Sequence, residues 1–229
     1  PLLRGRLLRR YKRFLADVEL DGGEQVTAHC ANSGSMLGLT APGSEVWLSP
    51  ADNPERKLKY TWELIRDGNA LVGINTNHPN RLAAEAVAAG AIPELAGYSD
   101  LKREVKYGRN SRIDLLLGGD GRPPCYAEVK NVHLKRGQGL AEFPDSVTTR
   151  GAKHLVELAD MVALGHRAVM LYLVQRDDCE AFAIAADIDP GYALGLAAAR
   201  RAGVETLCYA CTVAPEGIEV ARPLRLRLD

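Results

Sequence analysis

From Leu2 to about Asn77 the apolar residues recur at period two in short runs: Leu15, Val18 and Leu20; Val26 and Ala28; Val46 and Leu48; Leu58, Tyr60, Trp62 and Leu64; Leu71 and Ile74. Alternation of this kind marks strands with one buried face. Turn chemistry separates the runs at Asp21-Gly22-Gly23, Asn32-Ser33-Gly34, Ala41-Pro42-Gly43 and Asp67-Gly68-Asn69, where Gly and Asn accept the backbone angles that reversals need. The spacing predicts an all-β unit over residues 1–77, a small barrel of about five strands.

The pattern changes at His78-Pro79-Asn80. Leu82, Ala83, Ala86, Val87 and Gly90 follow a helical period up to Pro93, and Asn80 is placed to cap the first turn. Strands are predicted at Arg112 to Leu117 and Tyr126 to Leu134, joined by Gly118-Gly119-Asp120-Gly121-Arg122-Pro123-Pro124. A helix follows from about Thr148 to Ala163, ended by Gly165, then an apolar strand from Ala168 to Val174. Asp189-Pro190 opens a third helix that stops at Gly203, with Pro at its start and Gly after its end. A strand at Thr206 to Val213 completes a mixed α/β unit over residues 78–229.

Composition leaves that picture intact and removes some alternatives. The 229 residues are 46% hydrophobic and 25% charged, within the range of globular domains. No apolar run approaches the ~20 residues of a membrane-spanning helix, so no membrane partner is expected. The basic segment Pro1 to Phe14 lacks the apolar block of a secretory signal, and a cytoplasmic location is the expectation. Five cysteines, an odd number scattered through apolar stretches, are expected as reduced thiols rather than a disulfide framework. Cys208 and Cys211 lack the second pair that a zinc site needs.

The 29 basic and 29 acidic side chains cancel, yet their distribution is uneven. Arg4, Arg6, Arg9, Arg10, Lys12 and Arg13 fall in the first thirteen residues without one acid, making a local positive field suited to DNA phosphates. Alternation along a strand places Arg4, Arg6, Arg10 and Lys12 on one face, with Arg9 and Arg13 on the other. The competing reading is an edge strand protected by charge.

The candidate chemistry lies between Arg112 and Lys130. A symmetric connection centred on Gly121 sets Asp114 opposite Glu128, and Lys130 shares the face of Glu128. Ile113, Leu115 and Leu117, with Ala127 and Val129, then supply the opposite, core face. Two carboxylates about 4 Å apart at an effective dielectric of about 20 repel by roughly 4 kcal/mol, or about three pKa units. Either one is protonated or a cation lies between them. Hard oxygen donors suit Mg2+ or Mn2+ held by Asp114 and Glu128, and Lys130 adds a charge for a phosphate oxygen or an attacking water. An ordinary cross-strand ion pair is the alternative.

Asp114 followed by Glu128-Val129-Lys130 resembles the PD-(D/E)xK nuclease pattern, with Ile113 in the place of the proline. Further stretches extend the likeness: His29-Cys30-Ala31-Asn32-Ser33-Gly34-Ser35-Met36, Gly73-Ile74-Asn75-Thr76-Asn77, Glu104-Val105-Lys106-Tyr107-Gly108, Ser111-Arg112-Ile113-Asp114, Phe143-Pro144-Asp145 and Thr149-Arg150-Gly151-Ala152-Lys153-His154. Together they resemble the sugar fermentation stimulation protein family over essentially the whole chain. That resemblance implies an α/β (α+β) protein with an N-terminal OB-like β-barrel, a restriction-endonuclease-like second domain, and DNA as partner. Ser35 stands where the family usually has an arginine.

Nucleases of this fold take a further acid from the first helix, which points to Glu85, with Glu104 as its rival. Asn32, Arg112, Arg150 and Lys153 join the basic residues as candidate DNA contacts. Arg150, Lys153, His154 and Glu157 share one helical face. Three readings follow: a metal-dependent deoxyribonuclease, a catalytically silent DNA-binding regulator of sugar (maltose-type) metabolism genes, and a protein-interaction module. A homodimer is compatible with each.

Overall fold

A computed structural model describes residues 1–53, 55–108, 111–119 and 121–228; Asp120 of the predicted connection lies outside them. Strands β1 (Leu3–Tyr11), β2 (Leu15–Leu20), β3 (Gln25–Cys30), β4 (Glu45–Pro50), β5 (Tyr60–Asp67) and β6 (Ala70–Gly73) form a sheet of order β3-β2-β1-β4-β5-β6. A parallel pairing of β3 with β5 closes it into a barrel. Leu7, Val18, Met36, Leu48, Trp62 and Ile65 fill its interior, the alternation having put one apolar side chain per step on the inner wall.

After the barrel come α1 (Pro79–Ala88), β7 (Asp100–Tyr107), β8 (Ser111–Gly118), β9 (Cys125–Val132), β10 (Leu134–Gly137), β11 (Leu140–Phe143), α2 (Thr149–Ala163), β12 (Arg167–Val174), β13 (Ala181–Ile184), α3 (Pro190–Arg201), β14 (Glu205–Ala214), β15 (Gly217–Pro223) and β16 (Arg225–Arg227). The main sheet runs β15-β14-β12-β9-β8-β7. Its centre, β12, pairs parallel with both neighbours and is buried from Ala168 to Val174, as expected of a strand covered on both faces. One face packs on Leu82 and Ala83 of α1; the other packs on Leu155 and Leu158 of α2 and Tyr192 and Leu196 of α3.

Thr148 and Asp189 cap α2 and α3 by accepting the N–H groups of Gly151 and Tyr192. Asn80 does not cap α1; the N-cap is His78 and Asn80 lies inside the first turn. Strand β7 and the small sheet β10-β11-β13-β16 carried no readable period. β7 is a charged edge strand, and the small sheet is made of strands of three or four residues.

The barrel is fastened to the rest of the chain. Gly73 N–H donates to Gln175 O at 2.8 Å, Arg176 to Asp67 at 2.7 Å, and Ser35 Oγ to Asp145 O at 2.6 Å. Asp145 Oδ2 also accepts the N–H of Met36 at 2.9 Å. A Cβ on Gly34 would lie 2.8 Å from that carboxylate, so only glycine lets the loop approach so closely.

Candidate functional site

Strands β8 and β9 pair Leu117 with Cys125, Leu116 with Tyr126 and Leu115 with Ala127, the register set by a connection centred on Gly121. One row further lie Asp114 and Glu128, and there the ladder stops. Asp114 Oδ2 accepts the N–H of Val129 at 2.8 Å, and Oδ1 accepts Asn80 Nδ2 at 2.7 Å. On its other side β8 pairs with β7 at Leu115↔Arg103 and Ile113↔Val105, skipping the row of Asp114 and Glu104. Glu104 has φ 54° there, a left-handed conformation in the middle of a strand. Asp114 therefore sits where β8 releases both neighbours.

The face alternation slips at the same point. Ile113 packs on the α2 side while Leu115 and Leu117 pack on the α1 side, so the three do not share the single core face that strict alternation predicts.

Glu128 is 2% exposed. Its Oε1 accepts Lys130 Nζ at 2.7 Å and contacts His154 Nδ1 of α2, while Oε2 is buried without a hydrogen-bond partner. Lys130 Nζ also lies 3.3 Å from His154 Nδ1. Burial alone would raise the pKa of Glu128, but the bond from His154 and the charge of Lys130 outweigh it and hold the carboxyl below its usual range. Asp114 moves the other way: burial first, and then the charge of Glu128, raise it. The environments of two neighbouring carboxyls thus separate their titrations.

Tyr107 and Glu157 close the site from behind. The hydroxyl of Tyr107 is buried without a hydrogen-bond partner, and burial, followed by the charges of Glu128, Glu157 and Asp114, raises its pKa. Glu157 is buried against Gly108, where a Cβ would lie 3.0 Å from Glu157 Oε1. The predicted helix stripe is thereby divided: His154 and Glu157 point inward, whereas Arg150 and Lys153 are exposed. Arg150 Nε still reaches His154 Nε2 at 3.5 Å, and Lys153 lies 3.7 Å from Glu157.

Other predicted residues fall elsewhere. Glu85 is exposed and pairs with Arg81 at 2.8 Å; the α1 side chain that reaches Asp114 is Asn80. Helical spacing hides this, because Asn80 reads equally well as a cap. Asn32 is buried, with Nδ2 bonded to Ile74 O and Oδ1 to Gly34 N, so it presents nothing to a ligand. Arg112 is exposed on β8.

In the basic segment a β-bulge between Leu7 and Arg9 shifts the parity. Arg4 pairs with Asp21 and Arg9 with Asp17. Arg10 joins the inner side instead of sharing a face with Arg4 and Arg6, and donates to the carbonyls of Arg13, Asn32, Gly34 and Ser35. Arg6, Lys12 and Arg13 are exposed.

The donor set fits a hard divalent cation: two carboxylates in one row, one with a buried oxygen lacking a partner. Among the described residues no three His, Cys, Asp or Glu side chains gather as a metal-binding group, so any further ligands would come from backbone or water.

Two family models match the chain. Residues 8–74 match the SfsA N-terminal OB domain and residues 77–217 the sugar fermentation stimulation protein RE domain. The curated sugar fermentation stimulation protein homolog of Paramagnetospirillum magneticum is 64% identical over 228 residues, covering 100% of this chain and 96% of the relative. The homolog of Rhodospirillum centenum is 66% identical, covering 99% and 97%. The solved structure of Pyrococcus furiosus SfsA in complex with Ca2+ superposes with a TM-score of 0.89 at 26% identity, covering 99% of this chain and 96% of that one.

Proposed function

The chain belongs to the sugar fermentation stimulation protein family, and from that premise we propose that it binds DNA and hydrolyses phosphodiester bonds with Mg2+ or Mn2+ at Asp114 and Glu128. The observation that carries this reading is the buried, unsatisfied Oε2 of Glu128 in the row of Asp114. An acceptor that is left without a donor in a protein interior costs about 1–3 kcal/mol, which a cation would relieve. The relative from Pyrococcus furiosus is described with Ca2+, an ion of the same oxygen-seeking class.

A divalent ion there supplies Lewis-acid polarisation of a phosphoryl oxygen and a more acidic water. The protein supplies the orientation. Asn80 and the N–H of Val129 fix both oxygens of Asp114. His154 holds Glu128 and Lys130 in one geometry, and the ammonium of Lys130 offers a charge to a phosphate oxygen. Supercoiled plasmid incubated with Mn2+ tests the proposal: nicking by the wild type should fall about 100-fold or more in Lys130→Ala, the scale of losing one charge-stabilising donor. Wild-type protein that never nicks in Mg2+ or Mn2+ contradicts it.

One observation favours a second reading, a catalytically silent DNA-binding regulator of sugar-metabolism genes. Glu85 is exposed and paired with Arg81, so that no third acidic ligand joins the pair among the described residues.

A further inference from the structure

Strands β1 and β2 are joined by three residues, Lys12, Arg13 and Phe14. Lys12 has φ 50° and Arg13 φ 64°, two successive left-handed residues, a conformation that Asn and Gly adopt most easily. Lysine and arginine are poor choices for those angles, and strain of this sort, kept by its surroundings, points to a use for the side chains. Arg10 supplies the restraint, donating twice to Arg13 O and also to Gly34 O and Ser35 O. Ser35 in turn bonds Asp145, just ahead of the helix that carries His154. The tip is thus rigid and tied to the element that backs the carboxylate pair.

The chemistry it presents is two exposed cations followed by Phe14, an aromatic ring left 49% exposed. Arg4 and Arg9 have acidic partners and Arg10 is turned inward, so the turn holds cations that this segment has not already spent. A ring beside cations matches single-stranded nucleic acid, in which bases stack on aromatics and phosphates meet Lys or Arg. Duplex DNA keeps its bases stacked and offers such a ring little.

We propose that the Lys12-Arg13-Phe14 turn is a contact for single-stranded DNA, with Phe14 stacking on an unpaired base and Lys12 and Arg13 meeting the flanking phosphates. The assignment rests on the DNA-binding reading above and narrows its substrate to DNA with unpaired segments.

Fluorescence anisotropy with a labelled oligo-dT, a blunt duplex and an oligo-U tests it. Phe14→Ala should weaken oligo-dT binding by about tenfold and leave duplex affinity unchanged, with Phe14→Trp restoring it. The double variant Lys12→Asn, Arg13→Gly should melt at a higher temperature, because its turn residues suit the left-handed angles. The same variant should bind oligo-dT more weakly, with the salt slope flattened by about 1.4 units. Wild-type protein that binds none of the three overturns the DNA reading itself. If the wild type binds and the folded variants match it, the DNA reading stands and this assignment falls. Equal loss on duplex in Phe14→Ala overturns base stacking, and tighter binding of oligo-U overturns DNA as the ligand.

Discussion

The carboxylate of Asp114 accepts the backbone N–H of Val129 at 2.8 Å, just past the last paired row of β8 and β9, Leu115 with Ala127. That contact turns the end of a strand ladder into a held carboxylate. Because burial and Glu128 raise the pKa of Asp114, the folded protein binds this proton more tightly than the unfolded chain does. The stability it contributes is present below the ordinary carboxyl range and is lost as pH rises through the raised value. A cation must displace the same proton, so its affinity climbs with pH across that window. Saturating Mn2+ is expected to raise the melting temperature more at neutral pH than at a pH near the ordinary carboxyl value of about 3.9, and Asp114→Ala to abolish the shift. An equal shift at both pH values would place the ion elsewhere.

Asn80 and Glu85 separate the two readings of α1. Asn80→Ala removes the donor to Asp114 Oδ1 and should lower plasmid nicking at a cost of about 1 kcal/mol in stability. Glu85→Ala touches only the exposed pair with Arg81 and should change nicking less than twofold, within the range of exposed ion pairs.

Arg6 and Arg10, six and ten residues into one basic segment, are expected to behave differently. Arg10→Ala leaves the carbonyls of Arg13, Asn32, Gly34 and Ser35 without its guanidinium and should cost about 2–3 kcal/mol in urea unfolding. Arg6→Ala, which loses one exposed bond to Gly43 O at 3.1 Å, should stay within about 0.5 kcal/mol.

Asp145 should act as an acid-sensitive fastener between the barrel and α2. Burial opposes its charge, but His133, the N–H of Met36 and Ser146 together pull its pKa from 3.8 to about 2. The lowered value contributes stability that is complete above the ordinary pKa and lost as pH falls through about 2. Asp145→Ala should therefore cost about 2 kcal/mol at neutral pH, and the difference from wild type should shrink as the pH is lowered toward 2. Denaturant midpoints across acid pH measure it.

Much of this site could be read from the chain because β-pairing is arithmetic. A connection symmetric about Gly121 fixes the row of Asp114 and Glu128, and period two places Lys130 beside Glu128. Period and spacing carry no information about where the alternation breaks. The bulge after Leu7 reversed the predicted face of Arg10, and the slip at Asp114 sent Ile113 to a different layer from Leu115. His154 was visible only as one member of a stripe; its burial against Glu128 depends on Gly108 making room for Glu157 on the same helix. Asn80 resembled a cap because polar residues at a helix start have that use more often than they reach across to a strand.

The central claim is that Asp114 and Glu128 jointly hold a divalent cation, and anomalous scattering from crystals soaked in Mn2+ tests it most directly. The account predicts one strong peak within about 2.2 Å of an oxygen of each carboxylate, absent in crystals of Asp114→Ala. No peak there, or a peak held by other side chains while this pair keeps only its contacts to Asn80, Val129, Lys130 and His154, would contradict it.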